Sequence, residues 1–391
     1  MGIFNKKHTM SDVDYWLWLS LKPNMSASKM ERLLEIFESP KAIFNMSKAQ
    51  LLECKRLDNK TLKALSDKSI SRLLKVKELC RNYGINIITY DSEYYPENLR
   101  YISASPYVLY IRSNKKINLN EYIRIGIVGN RKATDYGVQT AKKFGNDLAK
   151  NNIVVVSGMA EGVDAASHRG AIEAGGITVA VMGCGLHKPY PYFHKELMHK
   201  IIETGMAISE YPPDVGVEKW HFPERNRIIS GLSQGVVVVE APERSGSLIT
   251  ANYAIDQGRE LFAVPGDITK ERSVGTNNLL KEYAVAVTSA RDIFDYYSFE
   301  YSEVAKIRKL QKTKGIENSE YKEEKPKNDI YKDLTDEEKH IITKLCDTPV
   351  SFDDLLSATG VSADKLTSMI TMLEIKGKIK THPGKKFTLN I

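Results

Sequence analysis

The stretch IGIVGNRKATDYG, residues 125–137, places an arginine where an apolar run ends and a polar, helix-prone segment begins. A guanidinium is a planar, permanently charged fork whose donors match phosphate oxygens. At the C-terminal end of a buried strand, where open α/β sheets take their ligands, Arg131 is suited to gripping an anion. Its alternative use is a surface ion pair with Asp135. Gly129 and Asn130 stand beside it, and two further strand ends carry similar chemistry. SGMAEG, residues 157–162, supplies Gly158, Met159 and Gly162 and leads into Val163, Asp164 and His168. Gly183, Cys184 and Gly185 follow a third apolar run, with Lys188 just beyond. Glycines let a backbone approach a ligand closely, and the helix starts that follow direct unpaired N–H groups at it. Ser245, Gly246 and Ser247 open a later helix, with Thr250 one turn on, and form another anion-ready turn.

A different chemistry gathers in WHFPERNR, residues 220–227. Arg225, Asn226 and Arg227 follow Phe222 closely, and cations beside rings suit a nucleic-acid strand: the cations take phosphates and the rings stack on bases. Trp220 is read as a core residue. The alternative for the arginines is that one is buried against Glu240. Asp164 and His168, four apart on one helix face, are read as a hydrogen-bonded pair that stiffens its loop rather than as catalysts. Cys184 is a nucleophile candidate without an evident partner base.

These groups must be held by an alternating α/β region. Apolar runs IRIGIVG, NIVVVSG, ITVAVMG, MAISEYP, GVVVVEA, ELFAVPG and AVAVTS are separated for the most part by helical patterns. Strands without apolar–polar alternation, joined by helices, predict a mostly parallel sheet buried on both faces. The fold class expected is α/β: a Rossmann-like, doubly wound sheet over 122–298. Residues 1–84 read as a helical domain of short helices, with Ser28 and Ser47 as candidate caps. Residues 85–121 read as a connector. Residues 299–333, rich in Lys, Glu, Asn and Ser, read as a linker. Residues 334–391 have the helix–helix–helix–hairpin order of a winged helix. Their wing-side lysines are Lys376, Lys378, Lys380, Lys385 and Lys386, and the recognition helix expected over 362–375 carries few basic residues.

Composition excludes several classes. There is no G-x-x-x-x-G-K-[ST] phosphate loop. The nearest match to the dinucleotide fingerprint, residues 183–188, ends in Lys188 where a glycine must sit against a strand. There is no H-E-x-x-H. The four cysteines lie far apart without C-x-x-C spacing, so neither structural zinc nor a disulfide framework is expected. No metal, cofactor or membrane span is expected, and the location expected is cytoplasmic. The net charge of +7 resides in residues 1–121, which hold 20 Lys+Arg against 13 Asp+Glu; residues 122–295 hold 19 against 20. An anion bound by the α/β region must therefore be held by a local constellation rather than a broad field.

GNRKATDYG, SGMAEGVDAASH, VMGCGLHKPYP, FPERNRIISGLS, EAPERSGSLITANYA and AVPGD, in that order, resemble the motifs of the DprA/Smf family, the DNA-processing proteins of bacterial transformation. Asn130 stands where that family usually has serine. The N-terminal helical region, SAM- or helix-hairpin-helix-like, and the C-terminal winged helix also match a common family layout. The resemblance implies a single-stranded DNA-binding protein, not an enzyme, that shields incoming DNA and loads the recombinase RecA onto it as a homodimer built through the α/β domain. It implies Arg131 as the strand-gripping arginine, Lys188, Arg225 and Arg227 as basic positions at or near the DNA pocket, and Gly158, Met159 and Gly162 as the second loop. The helix over 247–257 and the strands beside it are the candidate dimer surface. Two rivals stay open. One is a nucleotide-processing hydrolase of related fold, for which Glu240 and Glu243 are the nearby acids. The other is a nucleotide-sensing regulator that binds duplex DNA through residues 334–391.

Overall fold

The computed structural model describes residues 10–54, 57–297 and 335–389, apart from 343, 346–349, 360, 362, 377 and 383–385. The expected linker 299–333, Cys346 and Lys385 lie outside the described residues. The chain forms two units, residues 1–314 and 315–391.

The first unit begins with short helices: α1 (Asp12–Ser20), α2 (Ala27–Ile36), α3 (Pro40–Asn45), α4 (Lys48–Glu53), α5 (Asn59–Ser66) and α6 (Ser71–Tyr83). Side chains cap several of them. Ser11 and Asp14 form a capping box on α1, and Ser47 and Gln50 form one on α4. Ser26, not Ser28, caps α2, because its hydroxyl accepts from the N–H of Lys29. These helices are not a separate bundle. Trp16, Leu33 and Leu73 share one buried cluster with Ala180, Met182, Met198 and Ile201 of the α/β region.

Strands β1 (Ile85–Thr89) and β2 (Val108–Arg112), with the single-turn helix α7 (Glu97–Arg100) between them, come from the expected connector. They pair with each other, and β2 pairs antiparallel with a strand of the main sheet. Those 28 residues therefore extend the sheet rather than lead into it. The sequence concealed this because an antiparallel edge pair lacks the strand–helix alternation that marks the parallel part.

The parallel part runs β3 (Arg124–Val128), α8 (Asp135–Lys150), β4 (Val154–Ser157), α9 (Val163–Glu173), β5 (Thr178–Met182), α10 (Lys195–Thr204), β6 (Met206–Ser209), α11 (His221–Leu232), β7 (Gly235–Val238), α12 (Gly246–Asp256), β8 (Glu260–Ala263), α13 (Val274–Glu282), β9 (Val285–Ala286) and α14 (Ala290–Tyr296). All seven apolar runs became strands. The sheet order is β1-β2-β6-β5-β4-β3-β7-β8-β9. Both faces are covered, as unbroken Val and Ile runs require: Phe144 and Leu148 of α8 pack with Ile125 and Ile127, while Ile228 and Ile229 of α11 pack with Val128 and Val156.

One feature of this order decides where a ligand fits. From β3 the chain builds outward through β4, β5 and β6. It then returns over the sheet along α11 and places β7 on the other side of β3, with Gly126 opposite Val156 on one flank and Val236 on the other. The loops leaving β3 and β7 therefore diverge to opposite faces and open a crevice at the topological switch point.

In the second unit, α15 (Asp336–Ile342), α16 (Phe352–Thr359) and α17 (Ala363–Ile375) accompany a three-stranded antiparallel sheet. Its strands are β10 (Val350–Ser351), β11 (Ile379–His382) and β12 (Lys386–Leu389), in the order β10-β12-β11. This is the winged-helix architecture expected. Ile341, Leu355, Leu366, Leu373 and Phe387 form its core. Lys376 is bound to Glu338 at 2.7 Å, so this wing-side lysine serves to join α15 to the end of α17.

Candidate functional site

Two adjoining cavities, of about 370 and 230 Å³, open at the switch point. Arg131, Ala160, Phe222 and Arg225 belong to the walls of both. The larger is bounded by the loops after β3, β4 and β7 and by the starts of α11 and α12. Its lining contains four cationic side chains, Arg131, Lys132, Arg225 and Arg244, against the single carboxylate of Asp164. The smaller is faced by the backbone at Gly158 and Gly183 and by the rings of Tyr190, Phe193 and Phe222.

Arg131 is exposed, and it makes no ion pair with Asp135 or any other carboxylate among the described residues. Its guanidinium lies over Phe222, 5.5 Å from the ring centroid, a cation–π contact that orients the fork without consuming its donors. The loop carrying it is tied down from beneath. Glu240, buried just beyond β7, accepts from the backbone N–H and, at 2.5 Å, the hydroxyl of Thr134, and from Nδ2 of Asn130 at 3.3 Å. The N–H of Asn130 donates to the Glu240 carbonyl at 2.8 Å, and Asn130 Oδ1 accepts from Lys132 N. Asn130 is thus a turn-forming residue beside Arg131. Glu240 faces neither arginine of α11, contrary to that alternative.

Arg225 is 3% exposed. Its Nη1 donates to the carbonyls of Gly158, at 2.8 Å, and Val181, and its Nε donates to Asn226 Oδ1 at 3.3 Å. Nη2 meets no acceptor among the described residues. Burial pulls its pKa down to about 10, which still leaves it charged at neutral pH. Asn226 reaches across to the Gly246 carbonyl at 3.3 Å, joining the starts of α11 and α12.

The β4 loop is a strained support. Met159 has φ +58° and a fully buried side chain, and its carbonyl contacts Nδ1 of His194. A non-glycine residue in that region persists only when its surroundings over-determine it. Here Asp164 does so: its Oδ2 accepts from the N–H groups of Gly158 and Ala160 at 3.2 and 3.3 Å. Burial raises the Asp164 pKa, and Arg225 opposes the rise. The expected Asp164–His168 pair is not formed. The buried ring of His168 turns to the Thr178 hydroxyl at 2.6 Å, and the two residues stiffen different parts of the fold.

The glycines of this loop serve protein packing rather than access for a ligand. A Cβ on Gly158 would stand 2.6 Å from Nη2 of Arg225, and one on Gly162, at φ +73°, would stand 2.4 Å from the Asn130 carbonyl. They let three loops nest so that Arg131 and Arg225 converge.

Two basic positions do not join the site. Arg227 is buried on the far side of α11 and pairs with Glu210 at 2.5 Å. Two residues along a helix turn a side chain by about 200°, so Arg225 and Arg227 cannot face one cavity. Lys188 is exposed and lines neither cavity. Trp220 is 61% exposed, not a core residue, because α11 begins only at His221 and leaves it at the rim. Cys184 is buried, and burial pushes its thiol up to about 11, which removes it as a nucleophile at neutral pH. Sequence reasoning missed the aromatic loop Tyr190, Tyr192 and Phe193, whose signal was an aromatic-rich stretch after β5; Tyr192 and Phe193 are 76% and 62% exposed. Among the described residues no cluster of three His, Cys, Asp or Glu side chains could hold a metal, and no helix is long and apolar enough to cross a membrane.

A doubly wound sheet with a cationic, aromatic-walled crevice at its switch point defines an α/β protein of Rossmann-like class, and its sequence relatives narrow the class. A family model described as DNA recombination-mediator protein A matches residues 86–298, and one described as the DprA winged helix domain matches 325–385. The chain belongs to the DprA/Smf family. It is 42% identical over 224 residues to the DNA processing protein DprA of Bacillus subtilis, covering 57% of this chain and 75% of that protein. It is 32% identical over 304 residues to protein Smf of Escherichia coli, covering 76% of each. The X-ray structure of DprA from Streptococcus pneumoniae superposes with a TM-score of 0.64 at 31% identity, over 73% of this chain and 98% of that one. A DprA structure from Helicobacter pylori, described for its single-stranded DNA binding mode, matches with a TM-score of 0.51 at 28% identity, over 56% of this chain and 98% of that one.

Proposed function

We propose that the chain binds single-stranded DNA in the switch-point crevice, shields it, and loads a RecA-type recombinase onto it, acting as a homodimer in the cytoplasm. The observation that carries this reading is the convergence of Arg131 and Arg225 on a crevice walled by Phe222, Tyr190 and Phe193. Cations there neutralise phosphates, and rings give every base a sequence-tolerant stacking surface. Duplex DNA keeps its bases stacked on one another and leaves that aromatic wall unused. Asn130, Ser245, Gly246 and Ser247 frame the same crevice and supply polar atoms around the phosphate. The family membership, and the binding described for the relative from Helicobacter pylori, support the same ligand.

The hydrolase reading is weakened by Glu240, whose carboxylate is held by Thr134 and Asn130 rather than presented to a sugar. Fluorescence anisotropy with a labelled single strand and its duplex tests the binding. A single-strand preference supports it, and equal or tighter duplex binding overturns it. The loading step is tested by the lag in recombinase ATPase on strands pre-coated with single-strand-binding protein: the chain should shorten the lag.

A further inference from the structure

The larger cavity has an inner wall that a strand-gripping surface does not need. Thr250, one turn into α12, is 1% exposed and lines the cavity, and its hydroxyl meets no partner among the described residues. Nη2 of the buried Arg225 is likewise unmatched. The N-terminus of the eleven-residue α12 opens beside them, with Ser247 7% exposed. Neither donor is sealed off inside the protein; both residues line the open cavity and leave these atoms free to meet an anion there. The nearby charge is lopsided: Arg131, Lys132, Arg225 and Arg244 against Asp164 leave a surplus of three positive charges. An internal phosphodiester brings one negative charge. A phosphomonoester brings about −1.5 to −2 at pH 7, with a second pKa of about 6. The cavity volume of about 370 Å³ lies at the small end of the roughly 300–1,000 Å³ range of small-ligand sites, the scale of one nucleotide.

Resting on the reading that this crevice takes nucleic acid, we propose that its inner wall is a phosphomonoester subsite, formed by Thr250, Arg225, Ser247 and the start of α12. It recognises a terminal 5′-phosphate or the phosphate of a free nucleoside monophosphate in preference to an internal diester. The chain thereby distinguishes a phosphorylated strand end from the interior of a strand.

The test uses the full chain and one short labelled oligonucleotide in three forms: 5′-phosphate, 5′-hydroxyl, and 5′-phosphate capped as a methyl diester. The expected result is a 5′-phosphate strand bound roughly tenfold more tightly than either other form, the effect of about one added charge-assisted hydrogen bond. This preference should grow between pH 5.5 and 7.5 as the dianion forms. Thr250→Val, close to isosteric, should shrink the ratio between the phosphorylated and hydroxyl ends. Thymidine 5′-monophosphate competing where thymidine does not extends the subsite to free nucleotides; no competition restricts it to strand ends. Equal affinity for all three ends, measurable on the unmodified chain whatever becomes of the variant, overturns the subsite while leaving single-strand binding intact. Failure of every strand to bind overturns the single-strand reading itself.

Discussion

Replacing Arg131 by alanine isolates the grip from the scaffold. The side chain is exposed, pairs with no carboxylate among the described residues, and touches Phe222 through its guanidinium. Its removal therefore leaves no buried charge behind, and the fold should be almost unaffected. What is lost is a charge-assisted hydrogen bond to phosphate, worth roughly 1.5–3 kcal/mol. At about 1.36 kcal/mol per decade, that is a loss of about ten- to a hundredfold in single-strand affinity. The salt dependence should change with it. Each phosphate neutralised on a single strand contributes about 0.7 to the slope of log K against log salt, so the slope should become shallower by roughly that amount. Arg131→Lys, which keeps the charge but not the fork, should retain the slope and lose part of the affinity. Anisotropy titrations at several salt concentrations measure both quantities. An Arg131→Ala protein that binds within twofold of the original, with an unchanged slope, would refute the placement of the grip.

Gly158→Ala should weaken binding through Arg225 rather than through the ligand: its Cβ would stand 2.6 Å from Nη2, an overpacking of about 1–3 kcal/mol that appears in both melting temperature and strand affinity. Arg227→Ala should cost up to about 3–5 kcal/mol of stability, since it leaves the largely enclosed Glu210 carboxylate, 14% exposed, uncompensated, while the salt slope stays unchanged; denaturant unfolding and salt titration together check this. His168, driven by burial from 6.5 to about 3, should make the fold acid-sensitive. The unfolded chain binds one more proton than the folded one between those values, so stability present above pH 6.5 falls by about 1.4 kcal/mol per pH unit on acidification, and His168→Gln should flatten that curve. Cys80 and Cys184, both pushed up to about 11, should resist alkylation of the native protein at pH 8, while half-buried Cys54 is labelled before either of them in peptide mass spectrometry.

The sequence by itself determined the parallel strands, the helices between them and the loops that carry chemistry. Unbroken apolar runs such as VVVS and GVVV can be satisfied only between two covering layers, and glycine at a strand end marks a turn into a helix, so both signals are local. Arg131 was legible because strand and turn could be read within ten residues. The tertiary structure decided what depends on chain return. Only the passage of α11 back over the sheet makes β3 and β7 neighbours, and only that adjacency brings residues 129–131, 222–226 and 244–250 to one crevice. It also separated Arg225 from Arg227, which are alike in sequence: helical rotation aims one into the crevice and the other at Glu210. Glycines read as room for a ligand proved to be room for Arg225 and for the Asn130 carbonyl. Edge strands β1 and β2 carried no local mark of the sheet they would join. Residue type and spacing specify the elements, because those forces act within a few residues; which unlike side chains share a cavity is set by contacts across a hundred residues, which no local pattern encodes.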